Sequence, residues 1–136
     1  MRKTNTFEKA LPSLINAMVV VLISLPVAYF YSWQIWRFSA IVLFFFYNLF
    51  FTFFYEGRSL GQLACKSYWL PPVTRVQLLV HDFLYTLSFS TLFIWIWFPF
   101  DVFFANMLFL QLPTNFITGT TLHGYLSGGL TSGVRE

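Results

Sequence analysis

Residues 10–36 read ALPSLINAMVVVLISLPVAYFYSWQIW, twenty-seven positions without Asp, Glu, Lys or Arg. As a helix rising about 1.5 Å per residue, this stretch is roughly 40 Å long, more than the roughly 30 Å of a bilayer's hydrocarbon core. Tilt, or ends resting among the headgroups, absorbs the excess. Pro12 is expected in the first turn, where a missing N–H does no harm, and Pro26 inside the helix. The stretch follows a basic start, Arg2-Lys3, as a signal peptide would. No small-residue cleavage site follows it and further apolar runs do, so it reads as a retained first span.

The rest of the chain has the same character. Of 136 residues, 57% are hydrophobic, 23% aromatic and 10% charged. A soluble domain is about a quarter charged, and so few polar side chains could not cover a soluble fold of this size. The expected class is an all-α, polytopic transmembrane bundle forming a single domain over 1–136. Further spans are expected at 38–55, 76–100 and 102–118, the last the most polar, with Asn106, Gln111, Pro113 and Asn115 inside it. Residues 56–75 read as an interfacial connector with a short amphipathic helix over 59–68, closed by Pro71-Pro72. The Gly-, Ser- and Thr-rich tail, 119–136, reads as loop unless other helices hold it.

Charge sets the expected orientation. With four spans and a cytoplasmic N-terminus, Arg2, Lys3, Lys9, Arg58, Lys66, Arg75 and Arg135 lie inside and only Arg37 outside. Trp33, Trp36, Trp95 and Trp97 then mark the outer interface, and Tyr68-Trp69 the inner one. The net charge of +3 rests on few residues beside apolar runs. Lipid phosphates are the expected partners, not nucleic acid.

The chemistry-bearing residues are few. His81-Asp82 interrupts the third span near its start, and ionisable residues there usually face protein or water. The pair reads either as an ion, proton or substrate contact, or as a structural tie between Asp82 and the connector or first span. Glu56-Gly57-Arg58 is either part of a polar site or an exposed ion pair. Gly57 and Gly61 suit a turn or a close backbone approach. Asn16, Asn48, Asn106 and Gln111 read as interhelical hydrogen-bonding residues. Cys65, the only cysteine, excludes an intrachain disulfide. It reads as a nucleophile, an acylation site or a small interfacial filler. The two histidines and one cysteine are scattered, so no metal site is expected. No phosphate- or dinucleotide-binding fingerprint occurs, and no cofactor is expected.

The succession FEKALPSLINAMVV, EGRSLGQLACKSYWL, TRVQLL and LHGYLSGGLTSGV resembles the RDD family of small bacterial membrane proteins over nearly the whole chain. On that resemblance Gly57, Ser59, Leu60 and Gly61 match the family's glycine-containing segment after the second helix. Arg75 matches its later arginine, and His123 its closing histidine. Lys9 stands where the first arginine is expected. Asn16 replaces an intrahelical aspartate, and Gly124 replaces the closing one. The resemblance implies a bacterial inner membrane protein. The family's proposed transport or ion-exchange role depends on those acids, so their absence implies a divergent member that keeps the scaffold. The expected function is a non-enzymatic scaffold or accessory subunit of a membrane complex; the partners expected for the chain are the lipid bilayer and either other membrane subunits or further copies of itself. The alternative is a small transporter or ion exchanger working as a homo-oligomer. A third reading, a lipid-modifying enzyme using His81, Asp82 and Glu56, has no spacing that fixes a reaction type.

Overall fold

A computed structural model describes residues 2–134; Arg135 of the orientation count lies outside the described residues. The chain is mostly helical. Helix α1 spans Thr6–Phe30 and α2 Trp33–Phe54. At 25 and 22 residues they reach roughly 38 and 33 Å. These two helices are long and apolar enough to cross a membrane. Only 22% of each apolar window is buried, so most of that surface needs an apolar cover from outside the chain.

The boundaries differ from those expected at 10–36 and 38–55, because caps set them and not charge. Asn5 caps α1 and accepts from the Glu8 N–H at 2.8 Å, while Glu8 accepts from the Asn5 N–H. This reciprocal box starts the helix four residues early. Pro12 therefore lies beyond the first turn. Ser32 caps α2 by accepting from the Ile35 N–H, so the turn falls at 31–32, ahead of Arg37.

The expected spans 76–100 and 102–118 are replaced by shorter pieces. Helix α4 covers Arg75–Ser90, started by a Thr74–Gln77 capping box. Near its end the hydroxyls of Ser90 and Thr91 donate to the carbonyls of Leu87 and Ser88, each at 2.6 Å. Such local bonds compete with helix continuation. A 3₁₀ turn, Thr91–Phe93, follows, then an irregular loop. Asp101 organises that loop, accepting from the N–H groups of Ile96, Trp97 and Val102. Those bonds, the Trp97 N–H foremost, hold its carboxyl below the usual range. Helix α5, Asp101–Asn106, runs through a π turn, Met107–Gln111, into α6, Leu112–Thr118. Pro113, the second residue after that π turn, has no N–H to give the turn before it.

A small sheet modifies the all-α expectation. Strands β1 (Arg2–Lys3), β2 (Ser67–Trp69) and β3 (Ser132–Val134) pair antiparallel in the order β1-β3-β2. The connector's helix, α3, is only Leu60–Ala64 and gives way to β2. The tail is not a free loop: it holds α7, Leu122–Leu126, and β3. The sheet therefore gathers the N-terminal segment, the connector and the tail at one end.

The core is built where α1, α2 and α4 meet, from Val20, Trp36, Ala40, Phe44, Phe89 and Phe93. The Phe44 and Phe89 rings stack with centroids 3.9 Å apart. Trp36 is thus a core residue and not an interfacial anchor, and its Nε1–H donates to Ser24 Oγ at 3.0 Å. Trp33 and Trp95 lie near it, and the Arg37 guanidinium carbon is 5.5 and 5.0 Å from their ring centroids. Trp97 is almost fully exposed.

Candidate functional site

The polar side chains of α1, α2 and α4 collect on their mutually facing sides. Asn16 is the hub of one group. Its amide donates to Ser59 Oγ, and its Oδ1 accepts from Tyr47 Oη–H and the Gly61 N–H, each bond 2.9 Å long. One side chain on α1 thereby fixes α2 and the start of α3. Gly61 makes this possible: a Cβ there would sit 2.1 Å from the Pro12 carbonyl oxygen. Ser59 also caps α3, in a box with Gln62. Leu60 is exposed.

Asp82 centres the second group. It is buried, and Thr52 Oγ1–H donates to its Oδ2 at 2.5 Å. Its partner is therefore on α2, not on the connector or the first span as expected. His81 Nδ1 lies 3.9 Å from Asp82 Oδ1. The His81 ring stacks on Tyr85, edges against Trp69, and meets His123 of α7 with centroids 5.0 Å apart. Burial, and behind it the neighbouring His81, holds His123 well below the ordinary histidine range.

These groups wall a cavity of about 60 Å³, lined also by Asn48, Ser67 and Thr120. That is room for a few water molecules, far below the roughly 300 Å³ at which small-molecule sites begin. A carboxyl and two imidazoles around a space of that size can hold or relay a proton. Among the described residues no three His, Cys, Asp or Glu side chains come together as metal ligands.

Other expected site residues lie apart. Arg75 is exposed and sits over the Phe53 ring. Glu56 is exposed, at a φ of 55°, with no ion pair to Arg58. Arg58 instead donates from Nε to the Ser67 carbonyl and lies 3.7 Å from the Tyr68 ring centroid. Gly57, at a φ of 80°, accepts from Trp69 Nε1–H through its carbonyl. Asn48 bonds its own helix at the Phe44 carbonyl, so it is not an interhelical tie. Asn106 does reach α4, donating to Ser88 Oγ at 2.9 Å, and Gln111 accepts from the Leu122 N–H. Half-exposed Cys65 ends α3 as a free thiol.

Sequence reading passed over Tyr47, Thr52 and Tyr85. The signal for Thr52 was present: it lies four residues after Asn48 within a run of phenylalanines, hence on the same helix face. Tyr85 follows His81 by the same step. Protein-family models, curated proteins and solved structures yield no match to this chain.

Proposed function

We propose that the chain is a multi-pass, non-enzymatic protein of the bacterial inner membrane, a divergent RDD-like member serving as scaffold or accessory subunit of a membrane complex. One observation carries this reading. The polar groups between the helices bond mainly to one another, Asn16 with Tyr47, Ser59 and Gly61, and Asp82 with Thr52. Outward lie large apolar side chains such as Leu22, Phe38, Phe46 and Ile117. Inward polarity thus fixes shape, and outward surface is left for lipid and partner helices. Both termini are cytoplasmic in this reading, and the sheet brings their strands to the same end.

The test is the mass of the particle extracted in mild detergent. A stable complex with other membrane proteins is expected; an assembly of this chain alone overturns the scaffold reading. That second outcome favours a homo-oligomeric ion exchanger, whose supporting observation is Asp82 beside His81 on a water-sized cavity. An exchanger loses flux in Asp82→Asn while assembling normally.

A further inference from the structure

Helix α1 packs on α2 and α3, while the α5–α6 segment packs on α4 and α7. Between these two groups lies a cleft of about 470 Å³, inside the range of ligand sites. Its polarity is graded. Ala17, Phe44, Phe89, Leu92 and Phe103 line one part. Towards the sheet it is lined by Lys9, Asn115 and His123, and Asn115 donates to Thr6 Oγ1 at 2.7 Å across it.

That polar end is incompletely bonded. Asn115 Oδ1 and His123 Nδ1 are buried without hydrogen-bond partners, which is uncommon for buried polar atoms. Asn115 itself is 8% exposed. Lys9 has three N–H donors and gives one to the Thr4 carbonyl at 2.9 Å. Its neighbour Glu8 is taken by Arg2, with contacts of 2.7 and 3.0 Å. No carboxylate among the described residues pairs with Lys9.

We propose that this cleft binds one anionic phospholipid, an acyl chain along the apolar wall and a hydroxyl-bearing phosphate headgroup at Lys9 and Asn115. The ammonium calls for a phosphate, and the open acceptor of Asn115 calls for a hydroxyl donor. A fatty acid supplies no donor when ionised. The proposal takes from the functional reading only its bilayer setting, and requires neither a scaffold role nor a protein partner.

Native mass spectrometry of the full chain, released from detergent after exposure to phosphatidylglycerol, phosphatidylcholine of equal chains, or palmitate, tests it. One retained phosphatidylglycerol per chain is expected, in preference to the other two. Lys9→Met should weaken that retention about fivefold, as for one lysine facing anionic lipid. Ala17→Phe and Met107→Trp fill the slot from opposite walls and should abolish retention while preserving elution and melting temperature. Undiminished retention in a folded slot-filling variant, preference for palmitate, or a dimer in place of the lipid adduct overturns the proposal. Should neither filling variant fold, equal retention of the two phospholipids by the native chain overturns it. Loss of this binding with a surviving hetero-complex would remove the lipid site alone and leave the scaffold reading standing.

Discussion

Gly61 rests on the backbone of Pro12, so close that a methyl group added to its Cα would lie 2.1 Å from the proline carbonyl oxygen. The same approach brings the Gly61 N–H within 2.9 Å of Asn16 Oδ1. One contact therefore docks α3 on α1 twice over, by shape and by hydrogen bond. Gly61→Ala must move one backbone away from the other. The expected destabilisation is about 1–3 kcal/mol, read as a lower melting temperature in detergent. A melting temperature equal to that of the native chain would show that the contact yields freely.

The three bonds around Asn16 differ in what their loss leaves behind. Tyr47→Phe removes one donor and should cost about 0.6 kcal/mol, the average for interhelical hydrogen bonds in membranes. Asn16→Leu removes all three bonds at once, to Ser59, Tyr47 and the Gly61 N–H, so its effect should exceed that of Tyr47→Phe severalfold. Thermal unfolding of the two variants side by side checks the order.

Thr52 and Asp82 join α2 to α4 through one hydrogen bond. Asp82→Asn keeps a polar partner for the hydroxyl and should weaken the fold modestly. Asp82→Leu leaves Thr52 without one and should be worse. Thr52→Val combined with Asp82→Leu should be less destabilising than the sum of the single changes, since each removes the same shared interaction. Strict additivity in a double-mutant cycle would show that the two side chains act separately.

His123 gives the fold a pH dependence. Burial and His81 hold it neutral in the folded chain, whereas an unfolded histidine takes up a proton near pH 6.5. Below about that pH the unfolded chain binds the proton first, and stability falls with pH. Above it, this contribution is level. Melting temperatures across about pH 5.5 to 8 should show the fall on the acid side, and His123→Gln should flatten it. A fall of equal depth in His123→Gln would assign it to other groups.

Orientation is testable with single cysteines in a Cys65→Ser background, where normal expression is expected because Cys65 makes no bond that its replacement removes. Glu56→Cys lies in the connector and Trp97→Cys in the exposed loop near Arg37's end of the fold. An impermeant thiol reagent applied to sealed inverted vesicles should label position 56 and not 97. The opposite pattern would reverse the proposed topology.

The apolar runs made α1 and α2 legible, because length and lack of charge are local properties. Their shared boundary lies at the Ser32 cap and not at Arg37; a cap is a weaker signal in sequence than a charge. The loss of helix after Ser90 was also local, written in the hydroxyls of Ser90 and Thr91, but residues 94–98 continue the apolar run and mask it. The strands were not legible: RK, SYW and SGV have two or three residues each, too short for alternation to register. Asp82 announced itself as an acid among apolar residues. Its partner Thr52 lies thirty residues away, and no spacing rule reaches that far.

The sheet order has a consequence for assembly during synthesis. β3 lies between β1 and β2 but is made after both. Until it arrives, Arg2–Lys3 and Ser67–Trp69 lack the strand that both pair with. Closing the sheet is a long-range event, late and slow compared with forming the helices. A ribosome paused before residue 132 would leave two open strand edges facing the cytoplasm in the proposed topology. Such edges are the kind of surface that invites non-native pairing, so the central strand is what closes them.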